Sequence, residues 1–216
     1  VGQQREALLE VVSGVNGFAG LRTGEQGIAM RRAARQLVLL LGKLGRLMSD
    51  VLAPGDHTAM ASVLMEAVAS QIVTAILGQS NISIQELPTI LSTVVEEGPT
   101  VILQLSQPPP PGSQGPQSVP AADGGPQGSD GTPKVMGPLD EDLKFLMQQT
   151  FIKRTPSLNK LHRLLAILEA RLGQIVEWWD RGTLREAGFS SEEVRRLIYS
   201  CFEHSDYRED CISHVR

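Results

Sequence analysis

Apolar side chains recur along this chain at steps of three and four residues. No long stretch alternates between apolar and polar as a half-buried strand would. From about Ile28 to Leu52, the series Leu37, Leu40, Leu41, Leu44, Leu47, Met48 and Val51 predicts a helix with one buried face. Pro54, Gly55 and Asp56 interrupt it. Met60, Val63, Leu64, Ala67, Val68, Ile72 and Ile76 then predict a second helix, with Gly78 placed to end it in the left-handed conformation. Ser83 and Glu86 fit a capping box for a third, which Gly98 and Pro99 are expected to stop after Glu97; Pro88 fits only in its first turn.

Beyond a proline-rich stretch, Asp140 is placed to cap a short helix carrying Leu143, Leu146, Met147 and Phe151. Pro156 then opens the longest expected helix, whose stripe of Leu158, Leu161, Leu165, Leu168, Leu172, Ile175 and Trp179 is closed by Gly182. Unbroken, that stripe would pack along a partner helix for about 40 Å, at about 1.5 Å per residue. Ser190 with Glu193 forms a capping box, and Phe189 with Val194 a hydrophobic staple, so a helix boundary falls at Ser190. That helix runs through Leu197, Ile198, Cys201 and Phe202, with Ser205 or Asp206 interrupting before a final turn or two that reach Val215. The fold class is all-α, a helical bundle.

Composition sharpens this picture in one place. Of 13 prolines and 21 glycines in 216 residues, nine prolines and seven glycines fall between Ser106 and Pro138, so that block reads as a disordered insert. The expected organisation is a poorly defined segment over 1–27 and one bundle domain over 28–216, interrupted by the 106–138 loop. Aromatic residues are only 4 %, leaving a core of Leu, Val, Ile, Ala and Met. The net charge of −4 is spread thinly, and no segment is basic enough in sum to grip a nucleic-acid backbone. Two cysteines ten residues apart imply a reducing compartment rather than a disulfide framework. The longest uninterrupted apolar run, Leu37 to Leu41, is far below the roughly 20 residues of a membrane span, so any membrane association is expected to be peripheral. The chain opens on Val1 with residues that already read as helix, as a C-terminal piece of something longer would.

Candidate chemistry is sparse. Cys201, His204, Cys211 and His214 supply four metal-ligand types, but on one continuous helix the two pairs would lie about 15 Å apart, far outside the shell of a single zinc. Leu184 to Arg195 resembles the helix-turn-helix of MerR-type regulators, a DNA-binding alternative whose basic surface is missing, since residues 139–216 hold 12 basic and 13 acidic side chains. Pro108 to Pro111 offers a PxxP without a nearby cation to orient it, and no nucleotide-binding glycine spacing is present. No catalytic constellation and no cofactor motif is found. Trp179 continues the buried stripe. Trp178 falls on the polar side beside Arg171, Gln174 and Arg181, either covered by those neighbours or part of a contact surface. Candidate contact residues are Trp178, Arg171, Arg181, Tyr207 and Arg208.

Two blocks carry a family resemblance. The first runs through Leu44, Gly45, Arg46, Leu47, Met48, Asp50, Val51, Leu52 and Pro54, and on through Met60, Leu64, Ile82 and Ser83 to Val94, Val95, Glu96, Glu97, Gly98, Pro99 and Val101. The second holds Leu164, Leu168, Leu172, Ile175, Trp179, Gly182, Leu184, Phe189, Ser190, Glu193, Val194, Leu197, Ile198, Phe202, Arg208 and Ile212. Together they resemble the C-terminal region of the zeste white 10 kinetochore and vesicle-tethering proteins. The chain departs from that pattern in its long proline-rich insert and in Ser200, Cys201, Phe202 where Ala-Leu-Phe is usual, and it lacks the family's N-terminal partner-binding bundle. The resemblance implies an elongated rod of stacked helical bundles without enzymatic activity. It implies partners among tethering-complex subunits and SNARE proteins in Golgi-to-endoplasmic-reticulum retrograde transport, peripheral at the endoplasmic reticulum membrane. In some lineages it also implies Rough Deal, Zwilch and dynein adaptors at mitotic kinetochores.

Overall fold

A computed structural model describes residues 2–15, 24–79, 82, 87–103 and 141–216. The 106–138 block, the Ser83–Glu86 capping box and Asp140 lie outside the described residues. Among those described, every regular element is helical: α1 (Gly2–Ser13), α2 (Gly24–Ser49), α3 (Pro54–Leu77), α4 (Leu87–Ser92), a π turn (Thr93–Glu97), α5 (Gly98–Ile102), α6 (Glu141–Arg154), α7 (Pro156–Glu169), α8 (Leu172–Asp180), α9 (Thr183–Glu186), α10 (Ser191–Cys201) and α11 (Asp206–His214). One contiguous core runs from Leu8 to Val215.

α3 is its axis. Apolar residues occupy most of its circumference, and a helix apolar all round must be covered all round. It packs against α1, α2, α5, α6, α7 and α10. By length and composition it could cross a membrane, but 56 % of that stretch is buried inside the bundle. Leu8 and Val12 of α1 are fully buried in the same core.

Four expectations fail for identifiable reasons. The third helix does not stop at Gly98. A proline ring inside a helix collides with the carbonyl four residues back and has no N–H to give, and the wide π turn before Pro99 opens the ladder there so that α5 continues. Gly98 serves this by its size: a Cβ on it would lie 3.1 Å from Met65 Cε of α3 and 3.5 Å from Leu41 Cδ1 of α2. The Leu158–Trp179 stripe is not one helix, because Ala170 and Arg171 turn extended (ψ 156° and 151°) and split it into α7 and α8. Gly78 ends α3 in right-handed geometry, φ −75°, its N–H donating to Thr74 O and the Gln79 N–H to Ile76 O. Leu47, Val51 and Val63, expected in the core, are 62 %, 81 % and 54 % exposed.

Contacts distant in sequence cap the helices that lack local caps. Thr155, the N-cap of α7, spends its hydroxyl on Phe151 O, and Glu66 of α3 accepts the Ser157 N–H instead at 2.9 Å. At the far end of α3, Arg196 Nη1 donates to Leu77 O at 3.5 Å. Ser200 Oγ shares its proton between Arg196 O at 2.8 Å and Gln79 O at 3.3 Å.

Candidate docking surface

The C-terminal helices are assembled through two tight corners. α8 ends on Gly182 with φ 78°, and α9 is followed by Gly188 with φ 85°, left-handed conformations that a side chain would strain. Phe189 N–H returns to Leu184 O at 3.0 Å, which seats Phe189 in the core beside Val194 and completes the staple. The capping box forms: Glu193 N–H donates to Ser190 Oγ at 3.2 Å and Ser190 N–H to Glu193 Oε2 at 2.8 Å. Lys160 of α7 adds an ion pair to Glu193 at 2.8 Å and lies 5.0 Å over the Phe189 ring. Burial alone would raise the Glu193 carboxyl, but the bonds from Lys160 and from the Ser190 backbone outweigh it and hold the pKa below the ordinary value.

α11 starts on Ser205, whose Oγ accepts the Arg208 N–H, and is tied to α8 by His214 Nε2 on Asp180 at 3.0 Å. This break divides the Cys201/His204 pair from the Cys211/His214 pair without gathering them. Among the described residues no group of three His, Cys, Asp or Glu could hold a metal. Burial pushes the Cys201 thiol up to about 12 and raises Cys211 as well, which keeps both protonated.

The contact candidates separate on this frame. Arg171 is exposed at the start of α8, its N–H held by Gln174 Oε1 at 2.9 Å. Arg181 is exposed and pairs with Glu177 one turn back. Tyr207 is 59 % exposed, its hydroxyl over the α-carbon of Gly173. Trp178 is half-buried against the core. Arg208 is not a surface residue. It is 6 % exposed, donates to Phe202 O at 2.9 Å, pairs with Glu209 at 2.8 Å and stacks 4.8 Å from the Tyr199 ring, so its charge is spent inside.

The corner at Gly188 does not present a DNA reader. The first turn of α10, which would meet base edges, carries Glu192 and Glu193. Val194, Leu197 and Ile198 turn inward. Summing charge by segment also hid a cationic face on α2, where Arg32, Arg35, Lys43 and Arg46 follow one another at helical spacing, all exposed. A count by helical period rather than by segment exposes it.

Residues 130–215 match the family model for the ZW10 C-terminal helical domain. Over 99 % of its length the chain aligns with the centromere/kinetochore protein zw10 homologs of Rattus norvegicus, at 24 % identity, and Mus musculus, at 23 %. The chain is thus similar to the C-terminal region of ZW10-family proteins. It spans about a quarter of the length of those relatives, 24 % in each case. The stretch that matches the ZW10 domain model contains all of α6 to α11, and therefore both glycine corners, the capping box and the Asp180–His214 tie. The ZW10 alignment continues N-terminally over α1 to α5, the elements that pack with α6 and α7 around α3.

Proposed function

We propose that this chain is the docking region of a non-enzymatic ZW10-type subunit, working in a vesicle-tethering complex of Golgi-to-endoplasmic-reticulum retrograde transport. In lineages that use it so, it also works in a kinetochore complex of the spindle checkpoint. The observation that carries this is alignment with zw10 homologs over 99 % of the chain. The mechanism is mechanical: packed helices hold binding surfaces at a fixed separation, which a flexible chain of this length could not. Its partners on this reading are tethering-complex subunits and SNARE proteins, with Rough Deal- and Zwilch-type subunits and dynein adaptors at kinetochores. It contacts membranes only peripherally, at the endoplasmic reticulum. Trp178, Arg171, Arg181 and Tyr207 form the contact surface proposed at the C-terminal end.

The test is affinity capture of the tagged chain from interphase and from mitotically arrested eukaryotic cells, with mass spectrometry of what it retains. Recovery of tethering subunits and SNAREs in interphase supports the reading, and kinetochore subunits in the arrested cells support the second role. Recovery of neither, together with salt-sensitive binding to duplex DNA, would replace it with the regulator alternative.

A further inference from the structure

α2 carries five of the seven basic residues found before Ser106. Ile28, Arg32, Arg35, Leu39, Lys43 and Arg46 succeed one another at steps of three and four and are all exposed, so they form one stripe on a helix about 39 Å long. The spacing brings like charges within a turn of each other, Arg32 with Arg35 and Lys43 with Arg46, where they repel. A helix face that is merely solvated interleaves acids with bases. Here no carboxylate among the described residues pairs with Arg32, Arg35, Lys43 or Arg46, and Glu96 and Glu97 on the neighbouring π turn make no ion pair with them. Large aliphatic side chains share the stripe: Ile28 is 51 % exposed and Leu39 65 %.

At its C-terminal end the stripe meets a mainly apolar groove of about 240 Å³, lined by Leu44, Met48, Met60, Leu64 and the exposed Leu47 and Val51, with Gln4 of α1 also in the lining. A bilayer surface is flat and cannot send side chains between two helices, and the stripe has no Trp or Phe of the kind that anchors an interfacial helix. A helix of opposite charge can do both things at once.

We infer that this face receives an acidic amphipathic helix from a partner protein. Its apolar side chains enter the groove beside Leu47 and Val51, and its carboxylates run along Arg46, Lys43, Arg35 and Arg32. From Met48 to Arg32 the track is 16 residues of helix, about 24 Å, so a partner segment of that length fills it. The inference rests on the reading of this chain as a docking subunit and names the chemistry of one partner.

The full chain would be titrated against three fluorescein-labelled 18-residue helical peptides: one with leucine anchors at one end and a glutamate stripe, one with those leucines changed to alanine, and one with the glutamates changed to lysine. Vesicles containing phosphatidylserine form a parallel arm. The anchored acidic peptide is expected to bind at least tenfold tighter than either control. The combined variant Arg32→Glu/Arg35→Glu/Lys43→Glu/Arg46→Glu should weaken it more than tenfold, and Leu47→Asp/Val51→Asp several-fold. All substituted positions are exposed, and the milder set with glutamine at the four cationic positions replaces the reversal if thermal melting shows unfolding. Binding that survives both four-site sets within twofold, or equal affinity for all three peptides, overturns the inference. Stripe-dependent binding to the vesicles but not to the peptide overturns it in favour of a membrane surface. Cellular capture of tethering subunits that persists in the reversed variant leaves the docking-subunit reading standing while this inference falls.

Discussion

Adjacent tryptophans offer a controlled comparison, because Trp178 and Trp179 share one helix, one residue type and one propensity, and differ only in which way they face. Trp179 is 4 % exposed in the core, with the Arg185 guanidinium 4.3 Å above its ring. A buried tryptophan removes roughly 150–250 Å² from water. At about 25 cal/mol per Å² the gross value is about 4–6 kcal/mol, an upper figure because the unfolded chain already hides part of that surface. Trp179→Ala should therefore cost about 3–5 kcal/mol, in line with other large-to-small core changes. Trp178 is half-buried, so Trp178→Ala should cost about half as much, about 1.5–2.5 kcal/mol. Covering one face of Trp179 gives Arg185 a smaller share, and Arg185→Ala is expected to cost about 0.5–1 kcal/mol. Urea unfolding followed by helical circular dichroism, with the slope required to stay constant across the series, measures all three. Equal losses for the two tryptophans would show that α8 is rotated from the orientation described, and a larger loss at Trp178 would reverse it.

Gly182→Ala should cost about 1–2 kcal/mol in the same assay despite open space around the position, because φ 78° is strained for any L side chain. Gly55, which also has open space but no positive φ, serves as the control and should tolerate alanine. Glu66→Ala removes the acceptor that caps α7 from α3 and should cost about 1–2 kcal/mol, with Glu66→Gln recovering part of it. His57 is 3 % exposed with Nε2 unpartnered; burial lowers its pKa below 6.5, partly opposed by backbone hydrogen bonds at Ile102 and Gly45. A group with a depressed folded pKa contributes stability above its unfolded value, so stability should fall as pH drops from about 6.5 through the folded value. His57→Leu should flatten the unfolding midpoint over that window, and an unchanged slope would refute the assignment. The Glu193 contribution is lost in a separate window below 4.5.

Helix-by-helix reading succeeded where the determining interactions are local. The Ser190–Glu193 box, the Phe189 staple, the Gly182 stop and the Ser205 restart each involve residues within five positions of one another, and each formed as expected. It failed where a distant surface decides. Neither Ala170 nor Arg171 is proline or glycine, and the apolar period continues across them. Gly98 and Pro99 read as a stop signal until Met65 and Leu41 are present to be approached. Leu47 and Val51 continue the apolar series of α2, but they stand 62 % and 81 % exposed, and among the described residues no helix covers them. The contact candidates were legible as residue types only: Arg208 looks like any exposed arginine until the Phe202 carbonyl and the Tyr199 ring close around it.

α3 connects the groove beside α2 to α10, which in turn packs on α11, the helix that carries Tyr207. The N-terminal end of α3 lines the groove through Met60 and Leu64, and its C-terminal carbonyls receive Arg196 and Ser200 of α10. A helix of 24 residues spans about 36 Å, and one packed against several neighbours along its length does not bend without opening them. α2 and α10 both pack on this helix. The Ser200 hydroxyl also reaches Gln79 O at 3.3 Å, tying α10 to the end of this same axis. On the docking reading proposed above, such a bond helps to hold the two ends at a constant separation.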